Sequence, residues 1–440
     1  MITVKRLGKA SNMKTFFKNL NRTFYKNVSI LVVGTGLAQL IAFLFQLITR
    51  RFFTPADFGA FAVYFSLFSM LMPLSSMQYN RTVVLPKNDK EAINLVGVSF
   101  ISILFISGLV AFAVMFFTTD ISSALGLEYN YRYWLYFLPI GLFLYGLYDV
   151  VNYFLIRKSA FKASSTSKII RRSSEGIVQS SFGALGKNIG LIVGDLVGNV
   201  SNFLFIFYKA RQKGLDIREM KGPAMKQTAL RYIDFPKYNA IPAILNKMSL
   251  FFPVILLNVF FSQDVTGQFD LTRMVLALPL ALVTTSLSQV LLRNISSSRN
   301  NKELIKKDIF QLLTILLLLS VLGITCILLF SDFLFSLFGD EWGSAASYSN
   351  ILVFGFAVKF MVSPLSAVFA ALDKIKIASY WQLGNLTTLV VLFFLKGVDI
   401  QTFLIVYVSL EVISYLVYLF LILRTVYAYD NDVKVLKRNS

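Results

Sequence analysis

The chain has 440 residues, is 56% hydrophobic with a mean hydropathy of +0.66, and carries a formal net charge of +20. A soluble protein of this length is far more polar, so the composition is that of a polytopic membrane protein. With no histidine and one cysteine (Cys326), it excludes disulfides, histidine-containing or multi-cysteine metal sites, histidine proton relays and Ser-His-Asp catalysis. An all-carboxylate ion site stays open.

In chain order, residues 1–27 come first. Phe16, Phe17, Leu20 and Phe24 fall on one helical face, and Lys14, Lys18 and Arg22 on the other. The segment reads either as a basic amphipathic helix on the membrane surface or as a disordered basic tail. It is not a cleavable signal, because the apolar run behind it is too long and lacks a small-residue cleavage site. Apolar runs of ~20 residues can each cross a bilayer. They predict an all-α polytopic fold with twelve helical spans, at 28–48, 58–79, 93–117, 133–155, 167–186, 189–209, 238–261, 268–292, 308–330, 347–369, 377–395 and 402–423. The fifth and sixth are amphipathic, as befits helices that face polar neighbours or water inside a bundle. The expected division is a first lobe at 28–209, a cytoplasmic linker at 210–237, a second lobe at 238–423 and a cytoplasmic tail at 424–440.

Orientation follows from Lys and Arg. With both termini inside, the inner segments, counted to include the basic ends of the fifth and sixth spans (through 172 and from 209), hold 35 of the 43 and the outer loops 5; Lys247, Arg273 and Lys359 lie deeper within spans. The basic charge is therefore a signature of membrane insertion, and no nucleic-acid partner is expected. The loops are short, and they contain no Gly-rich phosphate loop, nucleophile elbow or DxD-type sugar-nucleotide site. Whatever the chain does, it does within the membrane.

The stretch 231–293 holds two apolar runs joined by SQDVTG, with Lys247 and Arg273 at depth and Pro242, Pro253 and Pro279 inside. A membrane hairpin with buried cations and breakable helices is a binding element. It has an earlier copy. FFTPADFGAF (52–61) and FFSQDVTGQF (260–269) share both leading phenylalanines, the glycine and the last phenylalanine at a constant offset of 208 residues. This indicates two related halves. It places Gln39 opposite Lys247, and it marks Gly59 and Gly267 as hinges turning the chain between paired spans.

The run RYIDFPKYNAIPAILN (231–246), followed by GQFDLTR and ALPL, resembles the linker and seventh and eighth helices of the Wzx-type polysaccharide flippases. So do Asn27 before the first span and RRFFTPADFG in the first turn. These are O-antigen and capsule exporters of the multidrug/oligosaccharidyl-lipid/polysaccharide, or MATE-like, superfamily. The resemblance covers essentially the whole chain. It implies two six-helix lobes around a cationic cavity lined by helices one, two, seven and eight. The implied activity is transport, not catalysis: alternating access carries a polyprenyl-diphosphate-linked oligosaccharide from the inner to the outer leaflet of the bacterial cytoplasmic membrane, for O-antigen, lipopolysaccharide or capsule. No cofactor is expected beyond a coupling proton or Na⁺. The expected partners are the bilayer and this cargo, with the chain a monomer and glycan-polymerising machinery a candidate associate. Another exporter of the superfamily, a peptidoglycan-precursor flippase or a drug antiporter, is the alternative, and a membrane polymerase a more distant one.

Buried charge sorts the candidates, since each charge in a span needs a partner or water. Arg171 with Glu175, and Asp270 with Arg273, are spaced to neutralise each other along one helix face. Lys359 and Glu411, at mid-depth on two spans of the second half, read as a pair across that lobe. Lys247 is left without an obvious partner and is the first choice for the phosphates, with Arg273 second; the alternative is that Lys247 snorkels to the inner surface. Asp149 and Asp195 either bind a coupling ion or pair with a cation of another helix. Gln39, Gln46 and Arg50 share a face of the first span, suiting either a sugar-lined cavity or helix–helix hydrogen bonds. Trp134, Trp342 and Trp381 read as interfacial anchors.

Overall fold

A computed structural model describes residues 33–438, so the basic segment 1–27 lies outside it. The described residues form twelve long helices and two short ones, with no strand among them. In the first half, α1 is Val33–Thr49, α2 Pro55–Leu71, α3 Asp89–Ala124, α4 Leu138–Arg157, α5 Phe161–Ala184 and α6 Gly190–Gln212. The short α7 (Gly222–Arg231) lies in the linker. The second half has α8 Asp234–Phe260, α9 Gln263–Asn300, α10 Lys306–Ser336, α11 Gly343–Val362, short α12 Ala367–Ala371, α13 Ile375–Phe393 and α14 Ile400–Arg438. Each expected span falls on its own long helix. Eight of the described helices are long and apolar enough to cross a membrane.

The second long helix of each half opens on a hydroxyl cap. Thr54 caps α2: its hydroxyl accepts from the Asp57 N–H, its own N–H donates to the Asp57 carboxylate, and Pro55 takes the first helical position. At the equivalent place Ser262 caps α9, accepting from the Val265 N–H at 3.2 Å. The turns are therefore at 50–54 and 261–262, which corrects the expectation that Gly59 and Gly267 are hinges. Both lie inside their helices, where α2 and α9 cross. A Cβ on Gly59 would stand 1.8 Å from the Gln263 carbonyl oxygen, and one on Gly267 would stand 1.9 Å from that of Pro55. Only glycine permits so close a backbone approach.

The halves pack internally as two lobes, through α3, α4 and α6 in the first and α10, α11 and α14 in the second. They meet where α2 lies against α8 and α9. The largest apolar cluster crosses this seam, joining Phe58, Phe68, Trp134 and Leu191 to Ile255, Leu271, Phe335 and Trp342. The other faces are turned inside out relative to a soluble protein. Met115 on α3 and Leu329 on α10 are each 70% exposed, as lipid-facing side chains must be.

The bundle has two unlike ends. At the charge-poor end, Arg51 donates to the Leu337 carbonyl at 3.1 Å, and Asn258 donates to the carbonyls of Leu125 and Gly126 at 2.8 Å. At the basic end, Asp89 holds Arg157 and Lys158, and Arg299 pairs with Asp373. Two connections there are more structured than the sequence suggested. In the linker, α7 packs on α3, with Lys221 N–H donating to Asn94 and the Tyr79 hydroxyl to the Ala229 carbonyl. The tail from 424 continues α14 to Arg438, because Asp430 accepts from the N–H groups of Ile305 and Lys306 and fastens it to the start of α10.

Candidate functional site

A cavity of about 340 Å³ lies between the halves. Its first-half wall comes from the segment after α2 and from α4. Pro73 ends α2 there, and the chain continues as short 3₁₀ turns that bring Gln78, Asn80 and Arg81 to the cavity. Asp149 and Tyr153 of α4 stand one turn apart beside them. The opposite wall is one face of α8: Asn239, Pro242, Ala243 and Asn246 recur at helical spacing, with Lys247 next. Gln382 of α13 completes it. Lys247 stands at the midpoint of the 27-residue α8, hence ~20 Å from either end.

The cavity thus offers two cations, several amides and one carboxylate. Asn80 donates to the Asp149 carboxylate, while Lys247 lies 5.6 Å from the Phe251 ring centroid. Arg273 does not line the cavity, but its guanidinium sits 5.3 Å from the same ring and donates to the Leu250 carbonyl at 3.2 Å. Both cations therefore lie near the Phe251 ring.

The other candidates lie elsewhere. Arg50, expected to face the cargo, is sealed at the charge-poor end. It donates to Asp270 of α9 at 2.9 Å and, through Nε, to Gln46 at 3.0 Å; its guanidinium lies against the rings of Phe58 and Trp342, and its side chain is 1% exposed. This corrects two expectations at once. Asp270 neutralises Arg50 across the seam instead of Arg273 along its own helix, and Trp342 is a seam residue, fully buried, whose indole N–H donates to the Arg50 carbonyl at 2.9 Å. Trp134 is likewise buried, and Trp381 stacks on Tyr418 at 3.9 Å, so none of the three is an exposed interfacial anchor. Gln39 is half-buried on α1, outside the cavity lining.

Arg171 and Glu175 do not pair. Arg171 turns toward α6 and donates to Asp195 at 3.1 Å, where Asn199 also donates; Glu175 takes Arg172 at 2.9 Å. Asp195 is thereby an ion-pair partner in the first-half core, leaving Asp149 as the acidic candidate at the cavity. Lys359 and Glu411 are in contact between α11 and α14, and the Tyr407 hydroxyl donates to the same carboxylate oxygen at 2.8 Å. Sequence reading missed Gln78, Asn80 and Arg81, which the expected spans left at the end of one helix and in the loop beyond it. The break at Pro73 was the available signal. Among the described residues, no three His, Cys, Asp or Glu side chains cluster as a metal site.

Two helical lobes meeting over a polar cavity make this a multi-pass membrane protein of the MATE-transporter fold. It superposes on the inward-facing conformation of a multidrug resistance MATE family transporter with a TM-score of 0.74, at 14% identity, over 89% of this chain and 96% of that one. For the outward-facing conformation of such a transporter the score is 0.64, at 14% identity, over 92% and 96%. For the lipid II flippase MurJ in an inward closed conformation it is 0.69, at 14% identity, over 92% and 90%. The sequence itself matches the polysaccharide biosynthesis protein family over residues 48–347, and the chain belongs to that family. No curated protein sequence matches it.

Proposed function

We propose that this protein is a flippase that carries a polyprenyl-diphosphate-linked oligosaccharide across the bacterial cytoplasmic membrane, from inner to outer leaflet. The observation that carries the reading is Lys247, a cation at the midpoint of α8, in a cavity between the lobes that also holds Arg81, several amides and one carboxylate. A diphosphate needs positive charge at depth, and sugar hydroxyls suit amide partners; toward an organic cation the cavity sets two positive charges against one carboxylate. In this reading the lobes at 28–209 and 238–423 rock about the seam, and the basic end faces the cytoplasm, as the Lys and Arg bias requires. The cargo serves O-antigen or capsule assembly, and the chain works as a monomer beside the polymerising machinery. Asp149, which accepts from the Asn80 amide and lies within electrostatic reach of Arg81, is the group we assign to ion coupling.

The test is reconstitution of the full chain into vesicles preloaded with a polyprenyl-diphosphate-linked oligosaccharide. Delivery should appear as glycan newly accessible to an added lectin. Accessibility no faster than in protein-free vesicles, with folded protein present, would overturn the reading.

A further inference from the structure

The segment behind α2 has an unusual backbone. Met77 and Gln78 are consecutive non-glycine residues at φ 48° and 64°, in the left-handed region that side chains disfavour. Such strain persists only where surrounding contacts impose it, and it collects at functional sites. Here the contacts are visible. The Gln78 amide nitrogen donates to the Pro73 carbonyl at 2.7 Å, and the Asn80 amide nitrogen to Asp149. Both amides are thus fixed in polarity by a bond from the nitrogen. Both residues line the cavity, and their buried oxygens meet no donor among the described residues. Gln78 is 3% exposed and Asn80 5%. Arg81 follows directly, exposed at the same cavity beside the Tyr153 hydroxyl, across from Lys247.

Two fixed acceptors next to a guanidinium match one chemistry: a hydroxyl-bearing ring joined to an anion. We propose that residues 77–81 are the edge of the cavity that reads the first sugar of the cargo, the orphan oxygens of Gln78 and Asn80 accepting its hydroxyls while Arg81 takes a phosphate oxygen opposite Lys247. The proposal rests on the flippase reading above and adds where selectivity lies. Because Arg81 belongs to the first half and Lys247 to the second, one diphosphate engages both lobes at once.

The experiment measures binding to the full chain in lipid nanodiscs with two probes, polyprenyl diphosphate alone and polyprenyl diphosphate carrying a single hexose. The wild type should favour the hexose-bearing probe by about tenfold, the order expected of a hydrogen bond or two made in a buried site. Gln78→Gly relieves the left-handed strain and removes the amide. It should keep affinity for the bare diphosphate and lose most of the preference. Gln78→Asn, which tolerates the same φ with a shorter amide, should give an intermediate preference and serves if the glycine variant does not fold. Arg81→Ala should weaken both probes by about tenfold, with Arg81→Lys recovering part. If the wild type binds neither probe, the flippase reading fails. If it binds both and Lys247→Ala weakens them, while the Gln78 and Arg81 variants bind as the wild type does, that reading stands and the role of residues 77–81 is overturned.

Discussion

At the scale of single residues, charge burial separates the side chains that hold the protein together from those left to bind. Lys247 is half-buried at the cavity, so an ammonium there attracts a diphosphate by a few kcal/mol at an effective dielectric near 20. Lys247→Arg should keep much of the glycan export of cells lacking the native gene, Lys247→Ala should lose most of it, and Lys247→Glu should abolish it. Normal export by Lys247→Glu at normal membrane abundance would remove Lys247 from the phosphate site. Lys359 and Glu411 are different in kind. Removing the ammonium alone strands a carboxylate shared only with Tyr407, at a cost of about 3–5 kcal/mol, whereas removing both charges should recover part of the loss. Folded yield of the two single variants and the double variant decides this, and simple additivity would argue against coupling. That pair was legible in the sequence because neither member has an opposite charge within a helical turn. Arg50 with Asp270 was not. The partners lie 220 residues apart, and Arg273, one turn from Asp270, offered a local decoy.

Among the elements, the long helices were written plainly in the apolar runs, and even the amphipathic α5 kept its place. It can do so because Gly194 and Gly198 of α6 let that helix approach within a methyl group's width of α5, whose arginines then find partners inside the lobe. What the sequence left unread was the irregular backbone: the 3₁₀ segment behind Pro73, α7, and the fastening of α14 through Asp430. These depend on contacts between distant segments, which no periodicity records. The repeat located Gly59 and Gly267 correctly and misassigned their task. Since each opposes a carbonyl oxygen at under 2 Å from a built Cβ, Gly59→Leu or Gly267→Leu should separate α2 from α9 and cost at least the 1–3 kcal/mol typical of overpacking. A lowered thermal midpoint in both variants is the expected result; unchanged midpoints would mean that the helices do not meet there.

For the whole molecule, the polar clasps across the seam described above gather, among the described residues, at one end. Arg50–Asp270, Trp342 on the Arg50 carbonyl and Arg51 on Leu337 all tie the lobes at the charge-poor end, while the polar cavity lies between them at mid-depth. Arg50→Ala leaves Asp270 without its partner and should loosen this end. Amide exchange of 55–62 and 263–270 should quicken by about tenfold or more, and Arg50→Lys should restore most of the protection. Exchange unchanged in Arg50→Ala would show that the ion pair does not hold the lobes shut.

The crossing of α2 and α9 also has a mechanical consequence. Gly267 lies near one tip of α9, with 33 residues below it to Asn300, hence a lever arm of ~50 Å. A tilt of ~10° about the glycine contact sweeps the far tip through ~9 Å while the backbones at the fulcrum scarcely shift. Pro279, part-way along, lets the lower portion bend on its own. Movement of the basic end and the Arg50–Asp270 clasp at the charge-poor end are thus separable by distance along a single rod.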